Sequence, residues 1–319
     1  MASFWKNKRV TVTGGAGFLG SWIVEELISR GAKREDILVP RRKDYDLRDR
    51  DACKKVTEGR DIVIHCAVNG GGIGYNRTYP GSIFYDNLIM DTELMEASRI
   101  NGVKKFVGIN TICAYPKITS VPFTEENLWQ GYPEETNAPY GLSKKMMIPQ
   151  AEGYKKEYGF LALNPLLENM YGPRDDFDDA SSHVIPALIK KFDTAMKDKD
   201  DEAIVWGTGK ATRGFLFVKD AARAVVSLAE IYDDPTPINI GSGSEISIKE
   251  LVDTIAGLME YKGRIVWDTE KPDGQPRRSV DTSKAISIIG EFATTQFEKG
   301  LKETIDWWYQ DSKNSAQTR

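Results

Sequence analysis

The sequence is poor in the residues that build cross-linked or metal-held scaffolds. Its 319 residues include only two histidines and three cysteines, Cys53, Cys66 and Cys113. An odd number of cysteines with no closely spaced pair excludes a disulfide framework and a zinc knuckle, so no metal site is expected and a free thiol is left available for chemistry. No apolar run is long enough to cross a bilayer, and the opening MASFWKNKRV lacks a signal-peptide core, so the chain is expected to stay in the cytoplasm. Charge of one sign is lacking too. Lys plus Arg number 43 against 47 Asp plus Glu, a formal net charge of -4. This balance disfavours nonspecific binding to nucleic acid or anionic membrane, and neither is expected as a partner. An anionic ligand would need a local basic cluster. Internal repeats and low-complexity segments are absent as well. What remains is 40% hydrophobic content over a length that can bury a full core.

Apolar runs at 8–13, 36–40, 61–66, 104–109 and 159–164 alternate with helical patterns near 18–30, 84–101 and 139–157. The alternation predicts an α/β fold, a Rossmann-type doubly wound parallel sheet covered by helices on both faces. Past residue 165 the rhythm breaks at the polar YGPRDDFDDASS, which is followed by a helix over 183–197 and a short strand ending at Trp206. A strand-helix unit at 214–232 and a strand at 236–240 resemble the core again. The expected division is a nucleotide-binding Rossmann domain over 1–165, to which 214–242 returns. A smaller C-terminal α/β substrate lobe takes 166–213 and 243–312, and the polar tail 313–319 is expected to fray.

The strand RVTVT runs into TGGAGFLG, and the helix-forming SWIVEELISR follows at once. In this setting Gly14 permits a tight turn, Gly17 lets the backbone approach a pyrophosphate, and Gly20 lets the helix pack on the strand. The helix N-terminus favours the negative charge. The alternative is that these glycines merely shape a turn. After the second strand, ILVPRRKDYD offers Arg41 and Arg42 where an enzyme using NAD usually carries an acid, which suits the 2'-phosphate of NADP(H). A solvated basic turn is the competing reading.

PYGLSKK sets Tyr140 and Lys144 four residues apart on one helix face. An ammonium beside a phenol stabilises the phenolate, so the pair can pass a proton to or from a carbonyl oxygen. Thr111, after the fourth strand, can donate to the same carbonyl or serve only as a turn residue. By itself the YxxxK spacing is common; joined to the glycine loop it carries weight.

These residues together resemble the extended short-chain dehydrogenase/reductase family. The resemblance extends over nearly the whole chain through IGYNRTYP, CAYPK, NAPYGLSK, NMYGPRDDF, SSHVIPALIKKF, VWGTGKATRGF and KPDGQPRR. It is narrowest with members that epimerise and reduce GDP-4-keto-6-deoxyhexoses. It implies that Tyr140 is the proton donor for ketone reduction, with Lys144 tuning it and holding the cofactor ribose, and that Thr111 stands where the family has Ser. Cys113 and His183 become the acid-base pair for epimerisation, with an inert buried thiol and a helix-cap neighbour as their bland alternatives. NADP(H) would be held by Gly14, Gly17, Phe18, Leu19, Gly20, Arg41, Arg42, Lys144, Leu167, Asn169, Met170 and His183. The GDP-sugar would be held by Lys191, Trp206, Arg213 and Asp273. A homodimer formed by helix packing is implied, with MMIPQAEGYKKEYG offering apolar positions. His65, at the end of a core strand, is assigned packing or hydrogen bonding.

Besides Thr111, the chain departs from the family pattern at four places. Glu168 replaces Thr, Gly214 replaces Glu, Phe217 replaces His, and Lys191 replaces Arg. The changes at 168, 214 and 217 motivate a second reading, a reductase or redox-neutral epimerase on another nucleotide sugar. A third reading is a non-catalytic NADP(H)-sensing protein, against which the Tyr140–Lys144 pair argues, since a sensor needs no tuned phenol.

Overall fold

A computed structural model describes residues 3–271 and 273–317. Strands β1 (Val10–Thr13), β2 (Ile37–Leu38), β3 (Ile62–His65), β4 (Lys105–Gly108), β5 (Asn110–Thr111), β6 (Ala162–Leu163), β7 (Pro165–Leu167) and β8 (Asn169–Tyr171) come first. They are followed by β9 (Glu202–Trp206), β10 (Thr212–Arg213), β11 (Phe215–Phe217), β12 (Ile238–Ile240), β13 (Ile246–Ser247), β14 (Arg264–Asp268) and β15 (Arg277–Arg278). Between the early strands lie α1 (Phe18–Ser29), α2 (Arg50–Thr57), α3 (Ile73–Thr78), α4 (Pro80–Ile100), α5 (Ala138–Lys145) and α6 (Met147–Tyr158). The later helices are α7 (Val184–Asp198), α8 (Val218–Ile231), α9 (Ile248–Leu258), α10 (Ser283–Ile289) and α11 (Phe297–Gln317).

Strands rich in β-branched residues and buried on both faces form the centre, β2-β1-β3-β4-β6, all parallel. A second parallel ladder runs β5-β7-β12. Its register continues the first, with Phe106 opposite Ala162 and Asn110 opposite Leu166. Thus β4 and β5 are one strand interrupted at Ile109, β6 and β7 one strand interrupted at Asn164, and β12 extends the same sheet. The chain leaves β1 for β2 and then crosses back past β1 to β3. This reversal makes a topological switch point, and ligands of such sheets bind outside the C-terminal strand ends there.

Helices α1 and α8 pack together against one face, where Ile23, Leu27, Val225 and Leu228 join Val10, Val12 and Ile238 in one core. Helices α2, α4 and α6 cover the other with Val56, Leu94, Met95 and Ala151 on Val63 and Phe106. A second core joins α7, α9 and α11 to β9, through Ile189, Phe192, Val205, Leu251, Ile255 and Leu301. The 215–217 strand bridges the two, because Leu216 faces the first core while Phe215 and Phe217 face the second.

Several boundaries differ from those read in the sequence. The helix over 139–157 is two helices meeting at Met146: Pro149 has no N–H for the carbonyl four residues back, so the ladder is interrupted there. Helix α4 starts at Pro80 instead of 84, since proline's missing donor costs nothing in a first turn. Helix α2 lies in RDACKKVT, where charge masks a narrow apolar face of Ala52, Cys53 and Val56; Asp49 caps it by accepting from the Asp51 amide. The polar tail continues α11 as far as Gln317, because extending an established helix costs little per residue. Thr318 and Arg319 lie outside the described residues. Among the described residues no helix is long and apolar enough to cross a membrane.

Candidate active site

The turn after β1 shows why glycine occupies three of its positions. Gly14 has φ +66°, and a Cβ there would stand 2.8 Å from the Ala67 amide nitrogen. A Cβ at Gly20 would stand 2.2 Å from the Gly14 carbonyl oxygen, so the first turn of α1 can press onto the loop only without a side chain. Gly17 differs: its added Cβ would meet only the Gly14 oxygen, at 3.3 Å, which leaves its outer side open for a ligand. Gly17 caps α1 with no side-chain hydrogen bond, and no acid lies in the first turn. The free N–H groups and the helix dipole therefore suit a pyrophosphate. Phe18 and Leu19 begin this helix, with Leu19 buried in the core. Arg41 and Arg42 are exposed just past β2, and among the described residues neither guanidinium is ion-paired. These residues fit a dinucleotide.

Thr111 ends β5, Tyr140 and Lys144 lie in α5, and Gly141 explains their closeness. A Cβ at 141 would stand 2.2 Å from the Cys113 carbonyl oxygen, so a helix glycine, ordinarily unfavourable, is what seats α5 on the 112–114 turn. Thr111 lies beside the Tyr140 hydroxyl. Burial pushes the phenol pKa up, Cys113 and Asp91 push the same way, and Thr111 and Arg278 oppose them. Lys144, one turn further along α5, has its Nζ held 3.0 Å from Asp91 Oδ1, and both groups are buried, at 2% and 1% exposure. A phenol kept protonated is suited to donating.

Asp91 Oδ1 also meets His65 Nε2 at 2.8 Å, and His65 Nδ1 meets Thr13 Oγ1 at 2.6 Å. Burial lowers the imidazole pKa, and Lys144 adds to this against the pull of Asp91. A neutral ring donates to Asp91 from Nε2 and accepts the Thr13 hydroxyl at Nδ1, while Thr13 Oγ1 accepts from the Ala67 amide at 3.2 Å. The chain of bonds joins the glycine loop to Lys144. Asp91→Asn keeps the shape but removes the countercharge, and is expected to cost about 3–5 kcal/mol of stability. Denaturant unfolding measures it.

Arg278 is the functional residue that motif reading missed. Its Nη2 donates to Cys113 Sγ at 2.7 Å, and it acts electrostatically on Tyr140, His183, Glu168 and Arg213. A guanidinium on the sulfur can hold negative charge there. The adjacent arginines of KPDGQPRR were the only sequence signal. His183 precedes α7 and is open to solvent on one side. The protein around it lowers its pKa, Asp176 opposes and Arg278 assists. The Gly72 amide donates to the Ser181 carbonyl at 2.7 Å, and a Cβ built at Gly70 would stand 3.8 Å from the Tyr140 ring, so the loop after β3 links the Tyr140 and His183 sides of the cleft.

The residues assigned to the nucleotide sugar gather along one edge. Asp273 accepts from the Thr208 amide and hydroxyl, each at 2.6 Å, beside Trp206, which is 66% exposed. Arg213 donates to the Thr212 carbonyl at 2.7 Å and the Asp273 carbonyl at 3.3 Å; burial and Arg278 pull its pKa down to about 10, against Glu245 and Asp273. Lys191 donates to the Ile204 carbonyl of β9, and burial lowers its pKa. Leu167 is buried at the end of β7; Asn169 and Met170 follow in β8, and the Asn169 amide donates to the Gly214 carbonyl at 3.0 Å.

Two departures from the family pattern are structurally one. Glu168 is buried, and a Cβ at Gly214 would stand 1.9 Å from its Oε1. The Glu168 carboxylate thus fills the volume a side chain at 214 would need. Phe217 is buried against Tyr171, ring centroids 5.5 Å apart, in an apolar setting that no histidine charge would suit.

The chain matches the model of the NAD dependent epimerase/dehydratase family over residues 10–241. It is 39% identical over 302 residues to the GDP-L-fucose synthase of Sinorhizobium fredii (strain NBRC 101917 / NGR234), covering 94% of this chain and 95% of that protein. Among solved structures it resembles a GDP-6-OMe-4-keto-L-xylo-heptose reductase from C. jejuni, with TM-score 0.90, 26% identity and coverage of 97% and 100%. It also resembles a GDP-L-fucose synthetase from Naegleria fowleri bound to NADP, with TM-score 0.86, 29% identity and coverage of 98% and 97%.

Proposed function

The chain belongs to the NAD dependent epimerase/dehydratase family, and we propose that it converts a GDP-4-keto-6-deoxyhexose by 3,5-epimerisation and NADPH-dependent 4-keto reduction, giving GDP-L-fucose or a close GDP-sugar. The observation that carries this reading is one cleft in which Tyr140 and Thr111 adjoin Cys113, Arg278 and the His183 side. It joins a group that donates protons to a carbonyl oxygen to two groups that exchange them at carbon.

The 4-ketone acidifies the hydrogens at C3 and C5. One of Cys113 and His183 removes a proton and leaves an enolate; the other returns a proton to the opposite face, so that no net charge or electron changes hands. Arg278 steadies negative charge at the sulfur or at the enolate oxygen. Bound NADPH supplies the hydride for the ketone carbon. Tyr140 gives its proton to the oxygen, and Thr111 donates a hydrogen bond there. Lys191, Trp206, Arg213 and Asp273 are the residues we assign to the GDP moiety.

The purified protein given GDP-4-keto-6-deoxymannose is expected to oxidise one NADPH per product formed; a chain that binds NADPH tightly but consumes none would be the sensor of the third reading. Arg41 and Arg42 set the choice of cofactor in this account. Replacing both with Ala is expected to raise KM for NADPH about 10²- to 10⁴-fold, each charge-assisted contact being worth about 1.5–3 kcal/mol, with KM for NADH little changed. Steady-state kinetics with the two cofactors reads this directly.

A homodimer formed by helix packing is part of the same proposal. Met147, Ile148 and Ala151 of α6 are buried within the subunit, whereas Tyr158 of α6 and Phe84, Tyr85 and Ile100 of α4 face solvent. A dimer through α4 and α6 would bury the latter set.

A further inference from the structure

Glu168 stands at the bend between β7 and β8, at the C-terminal edge of the sheet, and is 3% exposed. Its amide donates to the Ile240 carbonyl at 2.9 Å. Its Oε2 accepts from the Ser242 amide at 2.9 Å and the Ser242 hydroxyl at 3.2 Å, and the nearby Val280 backbone also favours the charged carboxylate. Arg278 is the charged group that favours its ionised form, while burial pushes its pKa up to about 7. One side chain thereby ties the segment after β12 to the segment after β15.

Gly214 completes the corner. The three atoms nearest to a Cβ built there are Oε1, Cδ and Oε2 of Glu168, at 1.9, 2.2 and 2.6 Å. Its φ lies outside the left-handed region, so the backbone does not demand glycine; the obstacle is the carboxylate. The Gly214 amide donates to the Arg278 carbonyl at 3.0 Å, and Arg213 lies beside Arg278 in the β10–β15 ladder. Through Gly214, Glu168 is thus packed against a residue bonded directly to the strand that presents Arg278 to Cys113.

We propose that Glu168 is a positioning residue for the epimerisation step: its carboxylate fixes the Arg278 strand through Val280 and Gly214, and so keeps the guanidinium on Cys113 Sγ. What the corner requires is one carboxylate, supplied from 168 only because 214 has no side chain. An aspartate at 214 would direct its carboxylate into the same volume from the opposite side once Glu168 is shortened. The inference rests on the epimerase/reductase reading given above.

The test measures deuterium uptake into GDP-4-keto-6-deoxymannose in heavy water without NADPH, alongside NADPH affinity and thermal midpoint. Glu168→Gln is expected to slow uptake about tenfold or more through kcat, the loss of one charged hydrogen-bonding group, with KM, NADPH affinity and thermal midpoint near wild type. Gly214→Asp alone, which crowds two carboxylates together, is expected to be slow as well. The double variant Glu168→Ala/Gly214→Asp is expected to recover to within about threefold of wild type, because neighbouring substitutions that share one function are non-additive. Wild-type uptake by Glu168→Gln overturns the proposal, as does a folded double variant no faster than the single substitutions. A wild-type protein that takes up no deuterium would instead overturn the epimerase reading itself, so the two failures are distinct.

Discussion

Tyr140→Phe is expected to lower kcat for ketone reduction by about 10²- to 10⁴-fold, the usual contribution of a positioned general acid. The substitution removes one oxygen and keeps the ring that packs near Gly70. Hydride addition at C4 leaves an alkoxide that needs a proton in the same site, and the phenol is the donor held there. Burial keeps that donor charged with its proton; Cys113 and Asp91 reinforce the effect, while Thr111 and Arg278 moderate it. Reduction should therefore show no alkaline loss from phenol ionisation below the ordinary phenol range of about 10. Proton exchange at C3 and C5 should survive in this variant, since it uses other groups. Single-turnover NADPH oxidation, read beside deuterium uptake, separates the two halves.

Cys113→Ala should show the opposite pattern, with deuterium uptake falling by about 10²- to 10⁴-fold. Reduction of a ketone that is already epimerised should stay near the wild-type rate. The Arg278 guanidinium would lose its sulfur partner but keep its strand, because the Arg278 carbonyl is bound by the Gly214 amide and its neighbours are fixed by the β10–β15 ladder. His183→Gln should resemble Cys113→Ala, as inversion needs both a remover and a returner of protons. If uptake in Cys113→Ala equals wild type, the sulfur is an inert buried thiol and the reductase reading takes precedence.

The glycine loop, the arginines after β2 and the Tyr140–Lys144 spacing were readable because each is a local pattern lying at a strand end or on one helix turn. The parallel sheet was readable for the same reason, its strands being unbroken apolar runs. Contacts between distant segments were not. Arg278 and Cys113 are 165 residues apart in the chain, and Lys144 and Asp91 are 53 apart. Lys144 was legible as a neighbour of the phenol because four residues separate them; that the buried carboxylate of Asp91, on another helix, holds its ammonium was not. Gly141 was visible as a helix glycine, but its reason lies in the Cys113 carbonyl it faces. Glu168 and Gly214 read as two separate departures until the geometry showed them sharing one volume. The shortest strands, such as β10 and β15, carry too few residues for a period to show.

The central claim is that a single cleft both exchanges protons beside a ketone and reduces it. The purified protein, GDP-4-keto-6-deoxymannose and NADPH combined in heavy water give the most direct test, with the product resolved by NMR and mass spectrometry. Deuterium at both C3 and C5, with one NADPH consumed per reduced sugar, is the predicted result. A reduced product carrying protium at both carbons would contradict it.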